Sequence, residues 1–390
     1  MGLLMKKIRV GDACEILNGY AFKSEKYVAS GIRVIRIANV QKGYVEDTDP
    51  AFYPEDYLGI DKYMLKEGDL LMSLTGNIGR VAILQKEMLP AALNQRVACL
   101  RIKNSGLSKG YLFHFLNSDY FENKCVHASK GVAQKNMSTE WLKEYEIPLY
   151  PKEKQTEIEN ILDKLSLIII HRKEELNQLD NLIKARFVEM FGDPIRNQKN
   201  WEIVSIGDII TDVRYGTSKP AVKGGKYPYL RMNNLTADGH LDLNDLKYID
   251  IQKDEIEKCV VRKGDVLFNR TNSIDLVGKT AVFDLSEDMV IAGYIIRVRL
   301  NGRILPEVFS QYMNLEALKD ILRSMAKGAV NQANINAQEL QSIKVYVPDM
   351  KLQKQFVEIK EQVNKSKVEV KRALDEAQLL FDSLMQKYFG

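Results

Sequence analysis

The chain has 390 residues, 45% of them apolar and 28% charged, enough for two or three domains at about 150 residues each and too apolar for a mostly disordered chain. Its 56 basic and 52 acidic residues leave a net charge of +4, which excludes DNA binding by bulk charge alone. The most apolar stretch, Leu165 to Ile170, falls far short of the roughly 20 residues of a membrane-spanning helix. Cys14, Cys99, Cys125 and Cys259 are widely spaced with no C-x-x-C pair, which argues against a zinc cage or a disulfide framework. At the N-terminus the lysines follow the short apolar stretch, the reverse of a secretory signal. A reduced, soluble, cytoplasmic protein without a membrane partner is expected.

In chain order, residues 8–150 carry short strand-like runs at Arg33–Ile37, Asp69–Leu74, Arg80–Leu84, Arg96–Ile102 and Tyr145–Tyr150, separated by Gly, Asn, Asp and Pro turn signals. A helix is expected from Gly110 to about Lys124. After Pro151 the pattern changes. Ile158, Ile161, Leu165, Ile168, Leu176, Leu179, Ile183 and Met190 recur at close to 3.5 residues, with no Gly or Pro from Lys152 to Phe191. Residues 204–348 repeat the first pattern. A second periodic stretch then runs through Phe356, Ile359, Val363, Val370, Leu374, Ala377, Phe381, Leu384 and Tyr388. Two helices of about 38 residues, each roughly 57 Å long, are implied. Pro151 and Pro348 precede them, and Gly192-Asp-Pro194 stops the first.

The repetition is a tandem duplication. Ile8-Arg-Val-Gly-Asp12 answers Val204-Ser-Ile-Gly-Asp208, and Ile35-Arg-Ile-Ala-Asn-Val40 answers Leu230-Arg-Met-Asn-Asn-Leu235. Lys66-Glu-Gly-Asp69 answers Arg262-Lys-Gly-Asp265, Lys130 to Asn136 answers Lys327 to Asn334, Gln155 answers Gln353, and Phe191-Gly192 answers Phe389-Gly390. The fold class is therefore α+β: two tandem-duplicated mixed domains separated by two long helices. An antiparallel coiled coil would relate the halves by a pseudo-twofold axis. The segments are 1–150, 151–192, 193–348 and 349–390. Ile158, Leu165, Leu176, Leu179, Ile183, Phe356, Val363, Val370, Leu374 and Phe381 are the expected helix-packing residues.

Polar residues that suit DNA recur at matching places. Asparagine and glutamine amides can read adenine, while arginine and lysine can read guanine or neutralise phosphate. The candidates in the first copy are Asn77, Arg80, Asn94, Gln95, Arg96, Lys130, Gln134, Lys135 and Asn136. Those in the second are Arg214, Lys219, Asn269, Arg270, Asn272, Lys327, Asn331, Gln332 and Asn334. Matching positions with differing side chains fit one scaffold reading different bases.

Enzyme motifs fail by contrast. Gly278-Lys-Thr280 has Ser273 where a phosphate loop needs its first glycine. Asp349-Met-Lys351 lies where a helix should start. No adjacent prolines occur, so the tetrapeptides that hold a flipped adenine for N6 methylation are missing, and the four histidines lack ligand spacing. Neither a catalytic residue nor a metal site is expected.

The order of these motifs resembles the specificity subunit of type I restriction–modification systems across nearly the whole chain. The resemblance rests on Gly11-Asp through Gly19, Lys66 through Gly79, Leu93-Asn-Gln-Arg-Val97, the Lys130–Met137 segment, Ile147-Pro through Gln155, and Phe191-Gly-Asp-Pro194. The second copy departs at Asn272 through Gly278 and at Ala292-Gly-Tyr294. The resemblance implies two target recognition domains on spacer helices, forming a non-catalytic subunit that binds bipartite double-stranded DNA. It implies as partners two methyltransferase subunits, which would hold the S-adenosylmethionine for N6-adenine methylation, and restriction or translocase subunits. A self-contained nucleic-acid-modifying enzyme with an unfamiliar site is the competing reading.

Overall fold

The computed structural model describes residues 6–129, 137–326 and 333–390. The chain forms two compact units, Met1–Arg172 with Ala373–Gly390, and Lys173–Arg372.

Unit 1 is built on a four-stranded antiparallel sheet in the order Cys14–Asn18, Val97–Ile102, Leu70–Ser73, Val81–Ile83. Its central strand, Leu70-Leu71-Met72, is apolar throughout because both of its faces are covered. Leu70 and Met72 join Leu100, Tyr111, Phe115 and Phe121 in one core cluster. Leu71 points the other way, joining Val97, Cys99, Ile35 and Leu93, as strand alternation requires. Over that second face lies a three-stranded sheet in which Ile32–Ile35 pairs parallel with Ala91–Leu93 and antiparallel with Phe52–Tyr53. Lys7–Arg9 pairs with Glu146–Pro148.

Unit 2 repeats this plan. Its main sheet runs Ile210–Tyr215, Ile295–Leu300, Val266–Asn269, Thr280–Val282. Val266 and Phe268 face one core cluster and Leu267 faces the other. Tyr227–Leu230 again pairs parallel with its neighbour, Met289–Ile291. One residue is added in the first strand, between Gly207 and Gly216. The register shift between Ile210 and Asp212 takes it up as a bulge.

The helix expected over Gly110–Lys124 is two helices, Lys109–Leu116 and Asp119–Ala128. Ser118 breaks it: its hydroxyl accepts the Phe121 amide (3.2 Å) and so caps the second helix. Unit 2 has the same break, between Pro306–Met313 and Glu316–Met325.

The long helices span Lys152–Phe191 and Met350–Phe389, 40 residues each. The Asp349 carboxylate accepts the Lys351 amide (2.8 Å) at the start of the second helix. Gly192, at φ +86°, closes the first in the left-handed conformation that glycine adopts without strain. Ile158, Leu165, Ile183, Phe356, Val363, Val370 and Leu374 are buried, and Leu176, Leu179 and Phe381 half-buried. Ile168 is a correction to the periodic reading. It is 44% exposed, and Leu162 and Ile169 hold the buried positions instead. A run of three isoleucines contains no period of its own, so the neighbouring turns decide which one faces inward.

The compact units cut across the four segments read from the sequence, dividing both long helices. Physically, each part of a helix buries its stripe against the nearer globular core. In unit 1, Ile158, Leu162, Met385 and Phe389 join the core, Phe389 lying 5.5 Å from the Tyr111 ring. In unit 2, Phe356 packs on Phe187 (5.3 Å) and Phe191 (5.5 Å). Each such ring is worth about 1.5–3 kcal/mol on burial. The helical segments run antiparallel within each unit: Lys367 pairs with Asp180 where Phe356 meets Phe187, and His114 touches both Asp163 and Phe381 where Lys154 stands over Tyr388.

Candidate nucleic-acid interface

The residues that repeat between the two copies turn out to be scaffold. Asn39 accepts the Arg36 amide and donates to Glu46 O, and Asn234 does the same with Arg231 and Asp242. The Arg36 guanidinium then holds Asp49 and that of Arg231 holds Asp245. Asp69 accepts the Lys66 amide and pairs with Arg101; Asp265 accepts the Arg262 amide and pairs with Arg299. Gln155, fully buried, accepts the Ser108 amide (2.8 Å) and donates to Gly106 O and Tyr150 O. Gln353, equally buried, accepts the Leu305 amide (2.8 Å) and donates to Arg303 O and Pro348 O. Each glutamine fastens a long helix to its own unit.

Two glycines shape the rim. A Cβ on Gly19 would lie 2.2 Å from the carbonyl of Asn94, and one on Gly216 would lie 2.2 Å from Ile291 O. Only glycine permits these backbone crossings. Each crossing leads into a tight turn, Asn94-Gln95-Arg96-Val97 in unit 1 and Ala292-Gly293-Tyr294-Ile295 in unit 2, closed by a backbone hydrogen bond of 2.9 and 2.8 Å respectively. The central strand ends beside the turn. Leu74 N donates to Arg96 O, and Leu74 O accepts from Met137 N; Arg270 N donates to Tyr294 O, and Arg270 O accepts from Ile335 N. The two main-chain nodes are the same and their side chains differ.

In unit 1 this brings together Asn94, half-buried with its Oδ1 on the Arg96 amide, and exposed Gln95 and Arg96. Asn77 is exposed on the adjoining turn, while Arg80 is half-buried and donates to Gln41. In unit 2 Arg270 and Asn272 are half-buried and Asn334 is exposed, all around the short pairing of Thr271–Asn272 with Ala333–Asn334. Thr271 Oγ1 donates to Asn334 Oδ1 at 2.8 Å.

Of three further candidates, one is buried and two are exposed and paired with acids. Asn269 is fully buried, its amide donating to Thr271 O and Tyr294 O and its oxygen accepting from Asn272. It has no face left for a base and instead holds the loop. Arg214 shares a strand face with its partner Asp212 (2.9 Å), opposite the face of Tyr215. Lys219 is tied to Glu255. Lys130, Gln134, Lys135, Asn136, Lys327, Asn331 and Gln332 lie outside the described residues.

Two aromatic residues at the unit 2 rim went unread in the sequence, Tyr215 and Tyr294, which are 43% and 49% exposed. The signal for Tyr215 was its place just before Gly216, where unit 1 has Asn18 before Gly19.

The enzyme-like fragments are structural. Lys279 is buried and donates to Met232 O at 2.9 Å. Asp349 is a helix cap. Burial pushes the Cys14 and Cys125 thiols up to about 12, which leaves them unreactive. Among the described residues no cluster could hold a metal ion, and no helix is long and apolar enough to cross a membrane.

A four-stranded sheet sandwiched between cores, a variable rim and a long helix, all duplicated, is an arrangement with known counterparts. The chain belongs to the type I restriction modification DNA specificity domain family, which matches residues 4–181 and again 198–377. It is 24% identical over 405 residues to the EcoKI specificity subunit of Escherichia coli (strain K12), covering 97% of this chain and 87% of that one. Against the EcoBI specificity subunit of Escherichia coli it is 23% identical, covering 98% and 85%. The type I restriction-modification S subunit from M. genitalium shares the fold with a TM-score of 0.60 at 15% identity, over 100% of this chain and 98% of that one. The chain is thus a specificity subunit, a component for recognition and not for catalysis.

Proposed function

We propose that this subunit reads a split double-stranded DNA target, one half-site per unit, and brings two methyltransferase subunits to it. Restriction or translocase subunits join the same assembly in this reading. The observation that carries it is the contrast within the duplication: one hydrogen-bonded framework, built twice, presents Gln95 and Arg96 in unit 1 and Arg270, Asn272 and Asn334 in unit 2. A shared scaffold with unlike polar rims fits direct readout of two unlike base sequences. The long helices serve as spacer and docking surface. Methylation is of adenine N6, with S-adenosylmethionine held by the methyltransferase subunits and none by this chain, and the complex works in the cytoplasm.

The test is to map methylated bases across the genome of cells with and without this chain. One bipartite motif is expected to vanish with the chain, and the purified chain alone is expected to transfer no methyl group. A methylation pattern indifferent to the chain, or methyl transfer by the chain alone, overturns the proposal.

A further inference from the structure

We propose that Arg270 reads a guanine in the half-site of unit 2, and that Tyr215 is the positioning residue that aims it. This rests on unit 2 being a DNA-reading unit, and adds which residue reads which base. Both main-chain groups of Arg270 are held, by Tyr294 O (2.9 Å) and Ile335 N (2.9 Å), so its Cα does not drift. The guanidinium stacks on the Tyr215 ring at 4.9 Å, and Nη1 reaches Gly293 O at 3.4 Å. The ring is itself fixed, because Tyr215 Oη accepts the Ala337 amide at 2.8 Å. Arg270 Nε is buried and has no hydrogen-bond partner among the described residues. No carboxylate pairs with this arginine among the described residues, whereas Arg214 and Lys219 are each paired with an acid.

A planar fork with a fixed position and plane matches the paired acceptors O6 and N7 on the major-groove edge of guanine. A phosphate contact needs charge but no fixed plane. Unit 1 has no such device at the same node, where Leu74 is buried and Asn18 stands at the tyrosine position. A guanine read in this way is therefore specific to the second half-site.

The test uses the chain assembled with its partners, and a DNA library randomised through both half-sites. Arg270→Gln should cut the preference for guanine at one position of the second half-site by roughly 5- to 150-fold and leave the first half-site unchanged. Arg270→Lys, which keeps the charge, should retain a weakened preference. Tyr215→Leu should relax the same position by about 2- to 30-fold, and Tyr215→Phe, which keeps the ring, by less. An unaltered base preference in Arg270→Lys and Tyr215→Leu overturns the proposal. So does a uniform loss of affinity across all sequences with a salt slope reduced by about one, the mark of a phosphate contact. If the unmodified complex showed no sequence preference at a second half-site, the one-unit-per-half-site reading would fall first, and that result is distinguishable from both.

Discussion

At the end of the central strand, unit 1 places Leu74 and Arg96 on the two sides of a backbone hydrogen bond, and unit 2 places Arg270 and Tyr294 there. The arginine has changed sides, and the position it vacates is taken by an apolar or aromatic residue. On the second helix of each unit's helix pair the contrast is of another kind. Glu122 packs beside Gly79 and pairs with Lys42 near the surface. Its counterpart on the second helix of unit 2, Lys319, is buried and donates to Gly278 O. Duplicated folds drift wherever a side chain leaves the hydrogen-bonded frame, and hold wherever it closes that frame.

The comparison can be broken most severely at the glycine crossings. Gly19→Ala and Gly216→Ala drive a methyl group into backbone, and each should cost more than about 3 kcal/mol, abolishing one half-site and sparing the other. Hydrogen exchange resolved by unit checks this; a loss spread equally over both units would refute the independence of the two frames. Next come the glutamine locks. Gln155→Leu and Gln353→Leu each strand one buried amide and two carbonyls, for about 2–4 kcal/mol, with similar losses expected in denaturant unfolding because the two networks are alike.

At the rims, Arg96→Ala should cost about 1–3 kcal/mol of discrimination at the first half-site alone, read from a randomised-site library. Lys319 separates the units by pH. Burial, aided by the neighbouring Arg323 charge, holds its ammonium down to about 7 in the folded chain, well below a free lysine near 10.4. The unfolded chain thus binds more protons between about pH 7 and 10, so unit 2 should gain stability as pH rises through that window. Below it the penalty for a buried charge is present in full. Lys319→Met should stabilise unit 2 by of order 1–3 kcal/mol near pH 7 and flatten that rise; a pH profile of thermal unfolding decides. Glu122→Gln in unit 1 should change stability by less than about 1 kcal/mol, as partly exposed ion pairs do.

Much of this was legible in the sequence because frame residues repeat. Arg36 and Asn39 with Arg231 and Asn234, Asp69 with Asp265, and Gln155 with Gln353 were visible as matched letters, and each pair makes the same bonds. The strand at Cys14–Asn18, the helix break at Ser118 and the choice of Ile169 over Ile168 were not legible, since each is decided by contacts with residues distant in the chain or in the next turn. For the interface, residue type was a fair guide to exposure at Gln95, Arg96 and Asn334. It failed at Asn269, where an amide is consumed inside the fold, and at Tyr215, whose role depends on an arginine 55 positions later.

The core of unit 1 includes Met385 and Phe389, whereas unit 2 is a single contiguous stretch, Lys173–Arg372. During synthesis at about 5–20 residues per second, unit 2 has all its parts once Arg372 has been made. The N-terminal unit, although translated first, waits for the last helix before Tyr111 and Phe115 can be covered. Through that interval its aromatic cluster is open to solvent and to other chains, so the half of the protein made earliest is the half finished last.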